Sequence, residues 1–151
     1  MKVLFLDDDP KRLFKFKSHV PSAVLAATAE EMVQLLSELE ETAKCVFLDH
    51  DLGGRVFVDS SDKETGMEVV RWIVQNNPDV QKFVVHSLNY DAAKVMVEKL
   101  ITVGYEAEYI PFPDLDYDSF KSEFKDCEDT DFDCDSFYLY NEDEEDIECV
   151  L

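Results

Sequence analysis

Val46-Phe47-Leu48-Asp49-His50-Asp51-Leu52-Gly53-Gly54 runs an apolar segment straight into a carboxylate, an imidazole, a second carboxylate and a glycine pair. That order predicts a buried strand ending in a polar loop. The loop lies at the strand's C-terminal edge, where open α/β sheets bind ligands. The same grammar stands at Val3-Leu4-Phe5-Leu6-Asp7-Asp8-Asp9-Pro10 and at Phe83-Val84-Val85-His86-Ser87-Leu88-Asn89. If the three strands are parallel neighbours, Asp7, Asp8, Asp49, His50, Asp51, His86, Ser87 and Asn89 converge on one crevice, the candidate active site.

Outward from these stretches, strands and helices alternate. Residues 2–6 form a first strand, and Pro10 suits the first turn of a helix reaching about Ser18. Residues 23–27 form a short second strand. Thr28-Ala29-Glu30-Glu31 is a capping box opening a helix to about Glu41, with Met32, Leu35, Leu36 and Leu39 at helical spacing. Residues 44–48 are the third strand. The long polar loop 50–64 contains Arg55-Val56-Phe57-Val58, a small extra strand or a lid. Gly66 opens a helix that Asn76-Asn77-Pro78 stops. Residues 80–85 make strand four, Asn89 caps a helix closed by Gly104, and residues 105–110 make strand five. Five such alternations require a parallel sheet with helices on both faces. The expected fold is α/β and flavodoxin-like, over a domain of residues 1–112.

Residues 113–151 depart from that rhythm. A final amphipathic helix is expected over Leu115–Phe124, then an acidic extension with a strand at Phe137–Tyr140. The alternating Asp129, Asp131, Asp133 and Asp135 fail as a calcium loop, because Cys134 stands where glycine is needed and Tyr140 where glutamate is needed. The extension holds 16 of the 35 acidic residues against Lys121 and Lys125, and so carries −14 of the −21 net charge. A field of that sign opposes non-specific nucleic-acid binding. It leaves two readings of the tail: a solubilising end, or a nucleic-acid mimic that occupies a basic protein partner.

At 151 residues and 46% hydrophobic, the chain can bury one ordinary core. No apolar run approaches the ~20 residues of a membrane helix, and the N-terminus enters a strand directly. A cytoplasmic protein without a membrane partner is expected. Cys45, Cys127, Cys134 and Cys149 form no C-x-x-C pair, which argues against zinc; Cys45 reads as a small buried hydrophobe and the thiols as free.

Several carboxylates at adjacent strand ends cannot all ionise in a confined space without a cation. Asp7, Asp8 and Asp49 are hard oxygen ligands suited to Mg2+ or Mn2+, with Asp51 a further ligand or an outer partner. The alternative for Asp8 or Asp9 is that it merely caps the first helix. His50 and His86 either move protons or brace the loops through backbone carbonyls. Ser87 and Asn89 offer hydrogen bonds to a phosphoryl oxygen. Arg12, on the basic face of the first helix, is either solvated or a phosphate contact. His19 reads as a capping or surface residue.

These motifs resemble the receiver domains of response regulators, with Asp7 and Asp8 as the acidic pair, Asp49 at the phospho-acceptor position and Ser87 as the hydroxyl switch. The strand-five lysine of receivers is replaced by Tyr109-Ile110-Pro111-Phe112. A closer resemblance is to the cyclic-phosphate processing receiver domains. Their motifs stand here as Leu6-Asp7-Asp8, Leu48-Asp49-His50-Asp51-Leu52-Gly53, Thr65-Gly66-Met67-Glu68-Val69-Val70-Arg71-Trp72-Ile73 and His86-Ser87-Leu88-Asn89. Leu88 and Tyr90 depart from the family's small residue and proline. The resemblance implies metal-dependent phosphoesterase processing of cyclic phosphates on RNA ends or nucleotides. In that reading Asp7, Asp8, Asp49 and Asp51 serve the metal, and His50, His86, Asp49, Ser87 and Asn89 the chemistry. The alternative is a catalytically inactive pseudo-receiver that acts as a binding or regulatory module.

Overall fold

Lys2–Leu6 (β1) and Ala43–Leu48 (β3) are apolar almost throughout because both of their faces are covered. The computed structural model describes residues 1–127. Around these two strands lie Val24–Ala26 (β2), Lys82–Val85 (β4) and Glu106–Tyr109 (β5), in the order β2-β1-β3-β4-β5. All pairs are parallel, with Phe5 opposite Phe47 and Phe47 opposite Val84. Parallel pairing obliges a crossover between successive strands. Pro10–His19 (α1), Ala29–Ser37 (α2), Gly66–Asn76 (α3) and Tyr90–Thr102 (α4) supply it. Tyr117–Glu123 (α5) follows β5.

Side chains alternate across each strand, so the sheet feeds two cores. Leu4, Leu6, Val46, Leu48, Phe83 and Val85 pack with Met32, Leu36, Val70, Ile73, Met96 and Leu100 of α2, α3 and α4. Val3, Phe5, Phe47 and Val84 pack on the other face with Phe16 of α1 and with Leu115, Phe120 and Phe124. This second core is an aromatic slab: the Phe5 and Phe16 rings stack at 4.0 Å and Phe120 meets Phe47 at 5.4 Å. The described part of the acidic extension is therefore built into the domain's core.

Most elements fall where the pattern places them, and the differences have local causes. The α2 helix ends at Ser37, not Glu41, and Leu39 reaches the core from the turn that follows. Strand four begins at Lys82 because Val80 makes only a single bridge, to Ala43. Residues 55–58 form no strand. Val56 and Phe57 are 78% and 75% exposed, and Phe57 adopts φ 52°. The helix expected over 115–124 is shorter, with Asp116 accepting Ser119 N–H as its cap. At Thr28 the hydroxyl accepts Glu31 N–H as expected, but the Glu31 carboxylate reaches back to Ala27 N–H rather than to Thr28 N–H. Cys45 is buried. Among the described residues no helix is long and apolar enough to cross a membrane. The aspartates 129–135, the strand at 137–140 and the acidic end lie outside the described residues.

Candidate active site at the strand ends

The sheet's hydrogen bonding continues beyond the strands and sets the site's spacing. Asp7 N–H donates to Ala26, Asp49 N–H to Leu6, and His86 N–H to Leu48. Asp7, Asp49 and His86 are thereby held side by side. By the alternation of side chains they project on the face of Phe5, Phe47 and Val84, toward α1. Asp7, Asp8 and Asp49 can each offer an oxygen so that the three atoms lie within 4.8 Å of one another.

Arg12, one turn into α1, reaches back over this cluster. Its Nε donates to Asp7 Oδ2 at 2.7 Å and its Nη2 to Asp7 Oδ1 at 2.9 Å, a fork-on-fork pair with a fully buried carboxylate. The guanidinium also lies 3.2 Å from Asp9, 3.7 Å from Asp8 and 3.7 Å from Asp49, and its carbon sits 4.4 Å from the Phe112 ring centroid. One cation thus faces four carboxylates. Burial and the charge of Asp7 push the Asp49 carboxyl up to about 8, against the opposing pull of Arg12 and a hydrogen bond from His50 N–H. Asp9 takes the capping role: its carboxylate accepts Lys11 N–H at the start of α1.

The loop after β3 is folded around Asp51. Gly53 and Gly54 both adopt left-handed backbone, φ 75° and 74°, which only glycine enters freely. The turn brings Gly54 N–H onto Asp8 at 2.6 Å. The Asp51 carboxylate accepts hydrogen bonds from Phe57 and Val58 N–H, from Asn89 Nδ2 and from His50 Nδ1, the last at 2.7 Å. Burial alone would raise its pKa, but these donors, His50 foremost, hold it below the ordinary value. His50 is buried, with Nε2 3.0 Å from Ser60 Oγ. Behind it, Gly66 N–H donates to His50 O, and α3 begins so close to β3 that a Cβ on Gly66 would lie 1.8 Å from Asp49 O. Glycine is required there by space.

His86 lies beneath the cluster. Its ring stacks on Phe5 at 4.7 Å, its Nε2–H donates to Leu6 O at 3.0 Å, and its Nδ1 has no hydrogen-bond partner 3.7 Å from Asp7 Oδ2. Burial lowers its pKa. Ser87 Oγ accepts Asn89 N–H, which leaves its hydroxyl proton to be donated elsewhere. Asn89 Oδ1 caps α4 through Ala92 N–H. Above all of this opens a crevice of about 370 Å3, walled by Asp8, Asp9, Arg12, Asp49, Asp51 and Ser87, with Val56, Leu88 and Phe112 at its apolar edge.

Residues 2–102 match the family model of the cyclic-phosphate processing receiver domain. The chain belongs to that family. Receiver structures share its fold. A receiver domain from Methylobacillus flagellatus (TM-score 0.57, 18% identity) covers 85% of this chain and is itself covered over 98%. One from Methanospirillum hungatei JF-1 (0.55, 16%) covers 94% and is covered over 97%. The response regulator TrrA of Thermotoga maritima, in complex with Mg(2+)-BeF (0.52, 18%), covers 85% and is covered over 100%. No curated protein matches the chain in sequence.

In this receiver-family crevice the residues expected from sequence separate into two groups. Asp8, Asp49, Asp51 and Ser87 line the opening, whereas Asp7, His50 and His86 are buried behind it and Asn89 braces the loop. Asp51 stands apart from the Asp7, Asp8 and Asp49 oxygens, its own lone pairs already engaged. The carboxylate trio fits a divalent cation: all three are hard oxygen donors, and the buried, unpartnered His86 Nδ1 points at the same Asp7. His19 is remote from it, with Nδ1 against Lys15 O and its ring against Tyr117. Two participants have roles the sequence did not give in full. The role of Arg12 was half visible, since it follows Asp8 and Asp9 by four and three positions. Ser60 gave no signal, because only the fold of the loop brings it to His50.

Proposed function

We propose that this crevice opens cyclic phosphates, adding water across one P–O ester bond to leave a monoester and a free hydroxyl. The observation that carries the reading is that Asp8 and Asp49 open beside Ser87, with Asp7 buried directly behind them, into a crevice large enough for a nucleotide-sized ligand. Family membership supports the same class of chemistry, and the TrrA neighbour, solved with Mg(2+)-BeF, supports an acidic pocket of this fold taking Mg2+. Mg2+ or Mn2+ held by Asp7, Asp8 and Asp49 would polarise a phosphoryl oxygen and lower the pKa of water.

The chain's own groups supply the rest. Ser87 donates its hydroxyl proton to a phosphoryl oxygen. Asp51, held ionised, faces the crevice and fixes His50 with Nδ1–H toward it, so that His50 Nε2 and Ser60 form a proton path leading away from the site. His86 touches no substrate; it supports Asp7 from below. RNA ends and cyclic nucleotides are the substrates proposed. The apolar edge of Val56, Leu88 and Phe112 suits a nucleobase beside the phosphate.

A short RNA ending in a 2′,3′-cyclic phosphate tests the reading by end analysis after incubation with Mg2+ or Mn2+. Metal-dependent opening that Asp8→Ala abolishes is expected. No conversion with either metal would refute it and leave the binding-module reading, which the absence of the strand-five lysine favours.

A further inference from the structure

We infer that a divalent cation entering the crevice takes Asp7 from Arg12, and that the released guanidinium becomes the anchor for the substrate phosphate. The inference rests on the reading above and adds a residue to it. The three carboxylates whose oxygens approach within 4.8 Å of one another are three of the four that Arg12 faces, at 2.7, 3.7 and 3.7 Å. An ion and a guanidinium therefore want the same oxygens. Both oxygens of Asp7 are already taken by the Arg12 fork, and Oδ1 also accepts Asp9 N–H. A metal at Asp7 would meet the Arg12 charge at the same oxygens, and the repulsion between the two cations favours release of Arg12.

Arg12 has somewhere to go. Its side chain is 24% exposed, and its guanidinium carbon sits 4.4 Å from the ring centroid of Phe112, a residue of the crevice wall that also carries Ser87. Rotation along that ring keeps the cation-π contact while turning the donors outward. The charge balance also dictates an order. Asp7, Asp8, Asp9 and Asp49 outnumber one guanidinium, so the crevice without a dication repels phosphate. With a dication seated, Asp7 needs Arg12 less and phosphate gains a planar two-point donor, the geometry for which arginine exceeds lysine.

The test uses the full chain, Mn2+ in phosphate-free buffer and the electron paramagnetic signal of free Mn2+. Removing the competing fork in Arg12→Gln should tighten Mn2+ binding at least about ten-fold, since charge-assisted hydrogen bonds no longer have to be broken. Inorganic phosphate, titrated with Mn2+ saturating, should bind Arg12→Gln at least about ten-fold more weakly than wild type. Arg12→Lys keeps the charge without the fork and should fall between the two on both scales, which preserves the test if the glutamine variant fails to fold. Mn2+ binding that is no tighter, or phosphate binding that is no weaker, in the variants overturns the inference. If cyclic phosphates are still opened in that case, the functional reading survives it. Mn2+ binding to neither wild type nor variant overturns the inference and the metal assignment together.

Discussion

Asp49→Asn should make the metal-free protein more stable already at pH 6, and more so by about 2 kcal/mol at pH 8. Asp49 is buried beside Asp7, and its carboxyl is pushed from 3.8 up to about 8. The folded protein therefore holds a proton at pH 6 that the unfolded chain has already released. Stability then falls as pH rises, by about 1.4 kcal/mol per pH unit, until the folded group ionises near 8. Integrated from pH 6 to pH 8, the loss is about 2 kcal/mol. Asparagine keeps an acceptor for His50 N–H and carries no charge, so its profile should be flat where the wild type slopes. Urea unfolding in EDTA at half-unit steps from pH 6 to 8.5 measures this, well above the isoelectric point of about 4.2. Saturating Mg2+ should flatten the wild-type profile, because a dication stabilises the ionised carboxylate. Parallel profiles for wild type and Asp49→Asn in EDTA would show that the cluster's charge is already neutralised by Arg12, and the reasoning would fail.

Two further outcomes follow from the loop and helix that frame the crevice. Gly66→Ala drives a methyl into Asp49 O and Met96, so urea unfolding should show at least about 3 kcal/mol of destabilisation, the upper range for an overpacked site; less than about 1 kcal/mol would mean that α3 can slide away from β3. Asp51→Ala removes the acceptor of Phe57 and Val58 N–H and should cost about 1–3 kcal/mol. Hydrogen exchange at those two amides should quicken while that of β3 stays unchanged.

The fold was legible because buried parallel strands are written as unbroken apolar runs with polar ends, as at Val46–Leu48 and Phe83–Val85. The same rule misreads Arg55-Val56-Phe57-Val58, where apolar residues stand in a loop with no strand to pair with. Which residues meet at the strand ends was legible for the same reason: a strand's last residue fixes what comes next in space. Which residues face the opening was not. Alternation beyond the strand end sends Asp49 toward α1 and His50 behind it, and both His50 and His86 are buried away from the opening. Arg12 lies four positions from Asp8, but that it forks onto Asp7 depends on how α1 docks against the sheet, which no local spacing encodes.

The aromatic slab on the α1 face fixes where this chain can be divided. Phe120 and Phe124 cover Phe47 at 5.4 and 6.1 Å, and Cys127 is buried in the same layer. A cut after Phe112 would strip the roof from Phe16 and Phe47 and yield a chain that aggregates for reasons unrelated to its acidic end. A cut anywhere before Cys127 breaks that layer, so any comparison of the protein with and without its tail should keep residues 1–127 whole.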